Sequence, residues 1–180
     1  IVDSVLVEST RITPMETDEI RRLVLQVDDP AYRVRPGQNI GIVVNGDSSF
    51  ANYQHLRRYS VTDVVPIEGE DSVAITILVK RCFYIDEVNG EEYPGVASNF
   101  LCDAQLGQQV ALAGPYKNPF KVPEDARANL LMIGTGTGIA PFRTMIQQIY
   151  RDGIEWQGDV RLFYGARNGM EMLYMNEQDN

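Results

Sequence analysis

Cysteine and histidine are scarce in this chain, and the scarcity closes several routes. The two cysteines, Cys82 and Cys102, form no CxxC pair, and His55 is the one histidine. No zinc-ligand pattern can be assembled from these residues, so no metal site is expected. A disulfide-stapled miniprotein is excluded on the same count, and two isolated thiols fit a reduced, cytoplasmic setting. Long apolar runs are missing as well. The longest charge-free stretch, residues 128–142, is broken by three glycines, whereas a membrane-spanning helix needs about 20 apolar residues. Basic residues are the minority, with 16 Lys+Arg against 25 Asp+Glu, a net charge of −9 and a pI of about 4.6. Nucleic-acid binders are usually basic, which disfavours that class. No charged n-region followed by an apolar h-region opens the sequence.

What is present is ordinary globular material. The 180 residues are 44% hydrophobic and 23% charged, enough for a packed core. Domains cluster near about 100–150 residues, so the length allows one domain, or one domain and part of another. The chain opens at Ile1 already in strand-like alternation and stops at Asn180 soon after a strand-like run. It reads as an excerpt of a longer polypeptide.

Up to residue 113, apolar and polar residues alternate in short runs. These are Val5 and Val7; Leu23, Leu25 and Val27; residues 40–44 after the Pro36–Gly37 turn; Tyr59 and Val61; residues 73–79; and Val110 with Leu112. About six short strands with turn residues between them predict an antiparallel barrel or sandwich. Residues 98–103 interrupt the series as a short helix, with Ser98 as its N-cap and Gly107 just beyond its end. After Pro123 the pattern changes to an apolar strand of buried type at 129–133, a glycine-rich turn, a helical period over 139–150 closed by Arg151-Asp152-Gly153, and an apolar strand at 160–164. Strand, turn, helix, strand is the order of a parallel α/β sheet. The boundary near 124–127 divides the chain into residues 1–125 and 126–180.

Three runs carry chemistry. Gly134-Thr135-Gly136-Thr137-Gly138-Ile139-Ala140-Pro141 follows a strand and opens a helix. Glycines let the backbone approach a phosphate, and the helix start offers unpaired N–H groups and a positive dipole end. Pro141 suits the first helical turn. The GxGxG spacing is neither the GxGxxG fingerprint nor a P-loop, so a ligand-free glycine turn is the competing reading. Arg57-Arg58-Tyr59-Ser60 begins a strand and supplies a guanidinium for a diphosphate, a ring for a flat heterocycle and a hydroxyl for a heteroatom. Its competing reading is a solvated strand end. Gly95-Val96-Ala97-Ser98-Asn99 sets N–H groups and a hydroxyl at a helix start, either an anion site or a plain cap.

Taken in order, these runs resemble the plant-type ferredoxin–NADP⁺ reductases. The ordered set comprises Arg35-Pro36-Gly37-Gln38-Asn39-Ile40-Gly41, Arg57-x-Tyr59-Ser60, Val79-Lys80-Arg81 with Tyr84, and Gly95-Val96-x-Ser98-Asn99-Phe100-Leu101-Cys102-Asp103. It continues through Gly114-Pro115, the glycine run with Phe142-Arg143, Leu162-Phe163-Tyr164-Gly165 and Leu173-Tyr174. The resemblance covers essentially the whole chain. It implies a six-stranded antiparallel Greek-key β-barrel that binds FAD, followed by an incomplete α/β parallel-sheet domain that binds NADP(H). By the same resemblance, Arg57 contacts the FAD pyrophosphate, Tyr59 stacks on the isoalloxazine and Ser60 sits near flavin N5, which makes Ser60 and Tyr59 the candidate catalytic residues. Tyr84 lies at the adenine side, and Val96, Ala97 and Ser98 approach the pyrophosphate. Gly134, Thr135, Gly136, Thr137, Gly138 and Pro141 cradle the nicotinamide cofactor's pyrophosphate, with Lys80 and Arg143 as its charge partners. His55 reads as a surface or loop residue, because hydride transfer needs no imidazole base. Two positions depart from the pattern: Ala97 stands where many members have Cys, and Asp63 where Ser is frequent. The family's 2′-phosphate positions fall past Asn180, so a preference for NADP over NAD is not legible.

The implied function is a flavoprotein oxidoreductase that moves hydride between NADP(H) and FAD and single electrons to or from a ferredoxin-type iron–sulfur partner. Charge bears on that partner. Through Asp125 there are 11 Lys+Arg and 19 Asp+Glu, a net of −8, and from Ala126 onward 5 and 6, a net of −1. Ferredoxins are usually acidic, so an acidic barrel half slows their encounter. A basic patch of Arg21, Arg22, Arg33 and Arg35 would dock one; solvated, scattered arginines are the alternative. A second arrangement is the reductase component of a multicomponent oxygenase, with the iron–sulfur centre fused or separate. Tyr164-Gly165-Ala166-Arg167 and Leu173-Tyr174-Met175-Asn176-Glu177 are similar to the reductase component of the benzoyl-CoA epoxidation system. A third reading, from another class, is a nucleotide-binding module without turnover.

Overall fold

The computed structural model describes residues 1–46, 54–118, 120–151 and 155–175. Six strands close into a barrel: β1 (Val2–Arg11), β2 (Ile20–Val27), β3 (Asn39–Asn45), β4 (Gln54–Pro66), β5 (Val73–Lys80) and, after two short strands, β8 (Gln109–Tyr116). The order around the ring is β1-β2-β5-β4-β3-β8, every neighbour antiparallel, with Val2 opposite Leu112 closing the seam. This is a Greek key, in which closure removes the sheet edges. The period-2 alternation does the sorting. Leu23, Leu25 and Val27 of β2 and Ile75, Ile77 and Val79 of β5 are wholly buried in the barrel core with Leu6, Ile40, Ile42, Val61, Val110 and Leu112.

Ile20 and Leu78 break that alternation. Both have the outward parity, yet both are buried, because they pack against Ile139, Ala140 and Leu173 of the second unit. An apolar residue on the wrong face of a barrel strand therefore marks where the α/β part docks.

Helix α1 (Val96–Asp103) seals one end of the barrel. Its Leu101 and Cys102 belong to the barrel core, and Ala97 and Ser98 are buried beside them. The N-cap is Gly95, not Ser98 as expected. Ser98 is the third helical residue. Its Oγ donates to Gly95 O at 3.2 Å and accepts from Cys82 N–H at 3.2 Å, so the hydroxyl ties the helix to the chain beyond β5. Arg81 completes the attachment by donating to Glu19 Oε2 at 2.7 Å, Asn99 Oδ1 at 2.8 Å and Asp103 Oδ1 at 2.6 Å. Burial pushes the Glu19 carboxyl up, but the hydrogen bonds from Arg81 and Arg21 outweigh it and hold the group below its ordinary range.

The short strands β6 (Phe83–Ile85) and β7 (Glu92–Pro94) form a hairpin absent from the sequence reading. Three-residue strands carry no measurable alternation. Its turn rests on Asp86, whose carboxylate accepts from the N–H groups of Val88 and Asn89.

The second unit runs β9 (Leu130–Thr135), a 3₁₀ turn (Gly136–Gly138), α2 (Ile139–Arg151) and β10 (Val160–Gly165). The strands are parallel, from Val160 opposite Leu130 to Gly165 opposite Thr135. The helix ends at Arg151 as expected, while Asp152 and Gly153 lie outside the described residues, as do Asn176 and Glu177. One face of the sheet packs Met132 against Phe142 and Met145. The other exposes Leu131, Ile133 and Phe163, so β9 is not the fully buried strand its composition suggests. No helix among the described residues is long and apolar enough to cross a membrane.

The four arginines expected to form a patch are not equivalent. Arg21 pairs with Glu19 and Arg22 with Glu8, leaving Arg33 and Arg35 exposed with no ion pair among the described residues.

Candidate cofactor cleft

A cleft of about 1140 Å³ separates the barrel from the α/β unit. Strand β4 supplies one wall through Arg57, Arg58, Tyr59 and Ser60, the start of α1 supplies Val96, Ala97 and Ser98, and the glycine turn supplies Gly134, Thr135, Thr137 and Gly138. Lys80, Tyr84 and Pro141 also line it. Three runs far apart in the chain thus face one space. Gly136 and Arg143 stand outside the lining. Arg143 instead lies 4.5 Å over the Tyr174 ring.

Each wall has a local cause. Asn39 sits opposite Ser60 in the β3–β4 register, and the Ser60 hydroxyl donates to Asn39 Oδ1 at 3.0 Å. The Arg58 guanidinium stacks 4.1 Å above the Tyr116 ring. Tyr59 leans on the barrel core. Burial, with Cys82 and Cys102 nearby, pushes its phenol up to about 12, so it stays a neutral, flat surface at any physiological pH. His55 is a strand residue of the cleft wall rather than a loop residue. Burial first, and then the nearby Arg57 charge, lowers its pKa.

The glycines divide by cause. Gly134 packs tightly, since a Cβ there would meet the Phe142 ring at 3.2 Å. Gly136 has φ +51, a left-handed value that L side chains resist. Gly138 has neither constraint: nothing lies within 4 Å of where its Cβ would be. It lines the cleft with bare backbone that a ligand can approach. Tyr84 stacks on Tyr93 with ring centroids 5.6 Å apart, a pairing set by the hairpin register.

The roles of some residues escaped the sequence reading, although Asn39 and Tyr164 stand in its ordered runs. Asn39, Tyr116 and Tyr164 act through partners that only the folded register reveals. The Tyr164 hydroxyl donates to Gly136 O at 3.1 Å and accepts from Leu173 N–H at 3.1 Å, fastening the glycine turn from the next parallel strand. Phe120 and Phe142 meet edge to face at 5.1 Å on the cleft wall.

The two thiols differ sharply. Cys82 is exposed in the cleft, while Cys102 is buried and burial pushes it up to about 11. Iodoacetamide at mildly alkaline pH is expected to label Cys82 and spare Cys102 until the protein is denatured, because only an accessible thiolate reacts. Peptide mass spectrometry reads the outcome, and comparable labelling of both in the folded protein would contradict the burial of α1.

Comparisons with known proteins agree with this geometry. The family model described as "Oxidoreductase NAD-binding domain" matches residues 132–180. The chain is 35% identical over 146 residues to the chloroplastic ferredoxin–NADP reductase of Spinacia oleracea, covering 79% of this chain and 39% of that protein. It is 32% identical over 164 residues to the ferredoxin–NADP reductase of Spirulina sp, covering 89% and 56%. In fold it matches the ferredoxin–NADP⁺ reductase of Plasmodium falciparum solved with 2′P-AMP, with a TM-score of 0.70 at 20% identity over 97% of this chain and 64% of that one. The chain therefore spans about two fifths of the length of the first plant relatives it matches. Over about four fifths of its length the chain is similar in sequence to ferredoxin–NADP⁺ reductases, its residues 132–180 match the NAD-binding family model, and its fold is the one those reductases have.

Proposed function

We propose that this chain carries the FAD-binding barrel, residues 1–125, and the front of the nicotinamide-binding domain, residues 126–180, of an NADP(H)-dependent flavoprotein oxidoreductase. The observation that carries the reading is the convergence of Arg57, Tyr59, Ser60, the α1 start and the glycine turn on one cleft. The donor set fits a flavin dinucleotide. Arg57 is a diphosphate partner, and Val96, Ala97 and Ser98 supply the N–H groups that a helix start leaves without intrahelical acceptors. Tyr59 offers a neutral stacking surface, Ser60 a hydroxyl held by Asn39, and Tyr84 a ring for the adenine. The bare backbone at Gly138 fits a nicotinamide dinucleotide's diphosphate, with Lys80 in the same cleft lining and Arg143 outside it. FAD, when bound, supplies hydride acceptance and single-electron release, and the partner for those electrons is a ferredoxin-type iron–sulfur protein. The chain's own residues bind, orient and exclude water.

The reading as an oxygenase reductase shares this cleft and differs in the acceptor. It is favoured by the pairing of Arg21 and Arg22 with Glu19 and Glu8, which removes half of the basic patch that an acidic ferredoxin would use. The unpaired thiols fit a reducing compartment such as the cytoplasm; the plant relatives are named chloroplastic.

Adding FAD to the purified chain is expected to give a yellow protein after gel filtration and a raised Tm. A colourless protein with no thermal shift refutes the flavin assignment. In the whole protein, faster reduction by NADPH than by NADH supports NADP(H), equal rates remove that preference, and no reduction by either leaves a binding module without turnover.

A further inference from the structure

Asp18 sits between two cations that belong to different parts of the molecule. Its carboxylate pairs with Lys80 at the end of β5 and with Arg167 beyond β10. Lys80 lines the cleft, and Arg167 does not. The loop that presents Asp18 is preset. The Arg11 guanidinium donates to the carbonyls of Thr13, Pro14, Met15 and Thr17, and the Thr13 hydroxyl donates to Asp18 O at 2.6 Å. Arg167 has a second acidic partner, the buried Glu171, at 3.2 and 3.3 Å.

We propose that Asp18 is a counter-ion gate on Lys80: in the free cleft it occupies the ammonium, and a diphosphate-bearing ligand takes Lys80 while Asp18 keeps Arg167. This rests on the reading of the cleft as a dinucleotide site. Three features carry it. Lys80 and Asp18 are 39% and 33% exposed, so their contact opens without unfolding. A diphosphate carries more charge than one carboxylate and competes for the same three N–H donors. Arg167 remains beside the released carboxylate, so Asp18 is not stranded, and Arg167 is the foremost cause that its pKa lies near 2, with Lys80 second. The gate lowers the affinity of any anion that must take Lys80, so Asp18 acts on the site through Lys80.

The test uses the full chain and inorganic pyrophosphate, titrated by calorimetry at low salt. Asp18→Asn is expected to tighten pyrophosphate binding about two- to five-fold, the upper part of the range set by an exposed ion pair. Arg167→Gln is expected to weaken it, since Asp18 then holds Lys80 alone. In a Lys80→Gln background the Asp18→Asn gain should vanish. Asp18→Glu should restore the wild-type value. An unchanged or weaker affinity in Asp18→Asn overturns the proposal. So does a gain that survives Lys80→Gln, which would be a general field effect, and so does the absence of pyrophosphate binding in every variant. FAD binding by the wild type is measured separately. Its failure, with the pyrophosphate pattern intact, removes the flavin assignment and leaves the gate standing.

Discussion

Leu101→Ala is expected to lower stability by about 2–5 kcal/mol, the range for a fully buried leucine. Leu101 has no exposed surface and sits on the helix that seals the barrel. The loss has two parts: the transfer of the side chain, and a cavity that the surrounding strands cannot close. Those strands form a ring of hydrogen-bonded pairs, so the walls cannot move inward without breaking ladders. Leu106 is 66% exposed, and Leu106→Ala should change stability by no more than about 0.5 kcal/mol. Urea unfolding with an unchanged m-value reads both. A loss below about 1 kcal/mol at Leu101 would show that α1 does not seal the barrel. Because α1 also presents Val96, Ala97 and Ser98 to the cleft, the Leu101 variant should release FAD more readily as well.

Gly138→Val is expected to separate binding from folding. No atom lies within 4 Å of the Cβ position and the backbone is not in the left-handed region, so the fold accepts a side chain there. Tm should move by no more than a few degrees, the response to roughly 1 kcal/mol in a chain of this size. The added atoms, however, project into the cleft where the proposed diphosphate approaches the backbone. Excluding that approach removes several charge-assisted hydrogen bonds, and affinity for NADP⁺ should fall at least about 100-fold. Gly136→Ala supplies the contrast. Its φ of +51 makes the substitution strained, costing about 1 kcal/mol in stability. Unchanged NADP⁺ affinity in a folded Gly138→Val protein would remove the glycine turn from the site.

Much of this was legible before the fold. The six runs became the six barrel strands, because a strand with one buried face must alternate, but on β1 the face was misassigned: Leu6 is buried and Val7, read as part of the alternating set, is exposed. The strand–glycine turn–helix–strand order became a parallel pair for a similar reason: the periods of 2 and 3.6 are written in neighbouring residues. The residues of the cleft were legible from runs whose chemistry is local, such as Arg57, Tyr59 and Ser60.

What remained illegible depends on partners distant in sequence. Ser98 looked like a cap because serine often caps, but its hydroxyl is drawn to Cys82, a residue placed there by the turn after β5. Ile20 and Leu78 are buried from the outward side of their strands by the second unit, which no pattern within β2 or β5 announces. The β6–β7 hairpin was too short for any periodicity to register. The arginine patch dissolved because Glu8 and Glu19 reach Arg22 and Arg21. The sequence by itself determined which residues want burial and which turns the backbone can make, since both follow from side chains and φ preferences at or near each position. Only the tertiary structure decided that Asp18 meets Lys80 and Arg167, that Asn39 holds Ser60, and that Tyr164 pins the glycine turn. Those contacts join residues across strand registers and between the two units, and their geometry exists only once the barrel has closed and the α/β unit has packed against it.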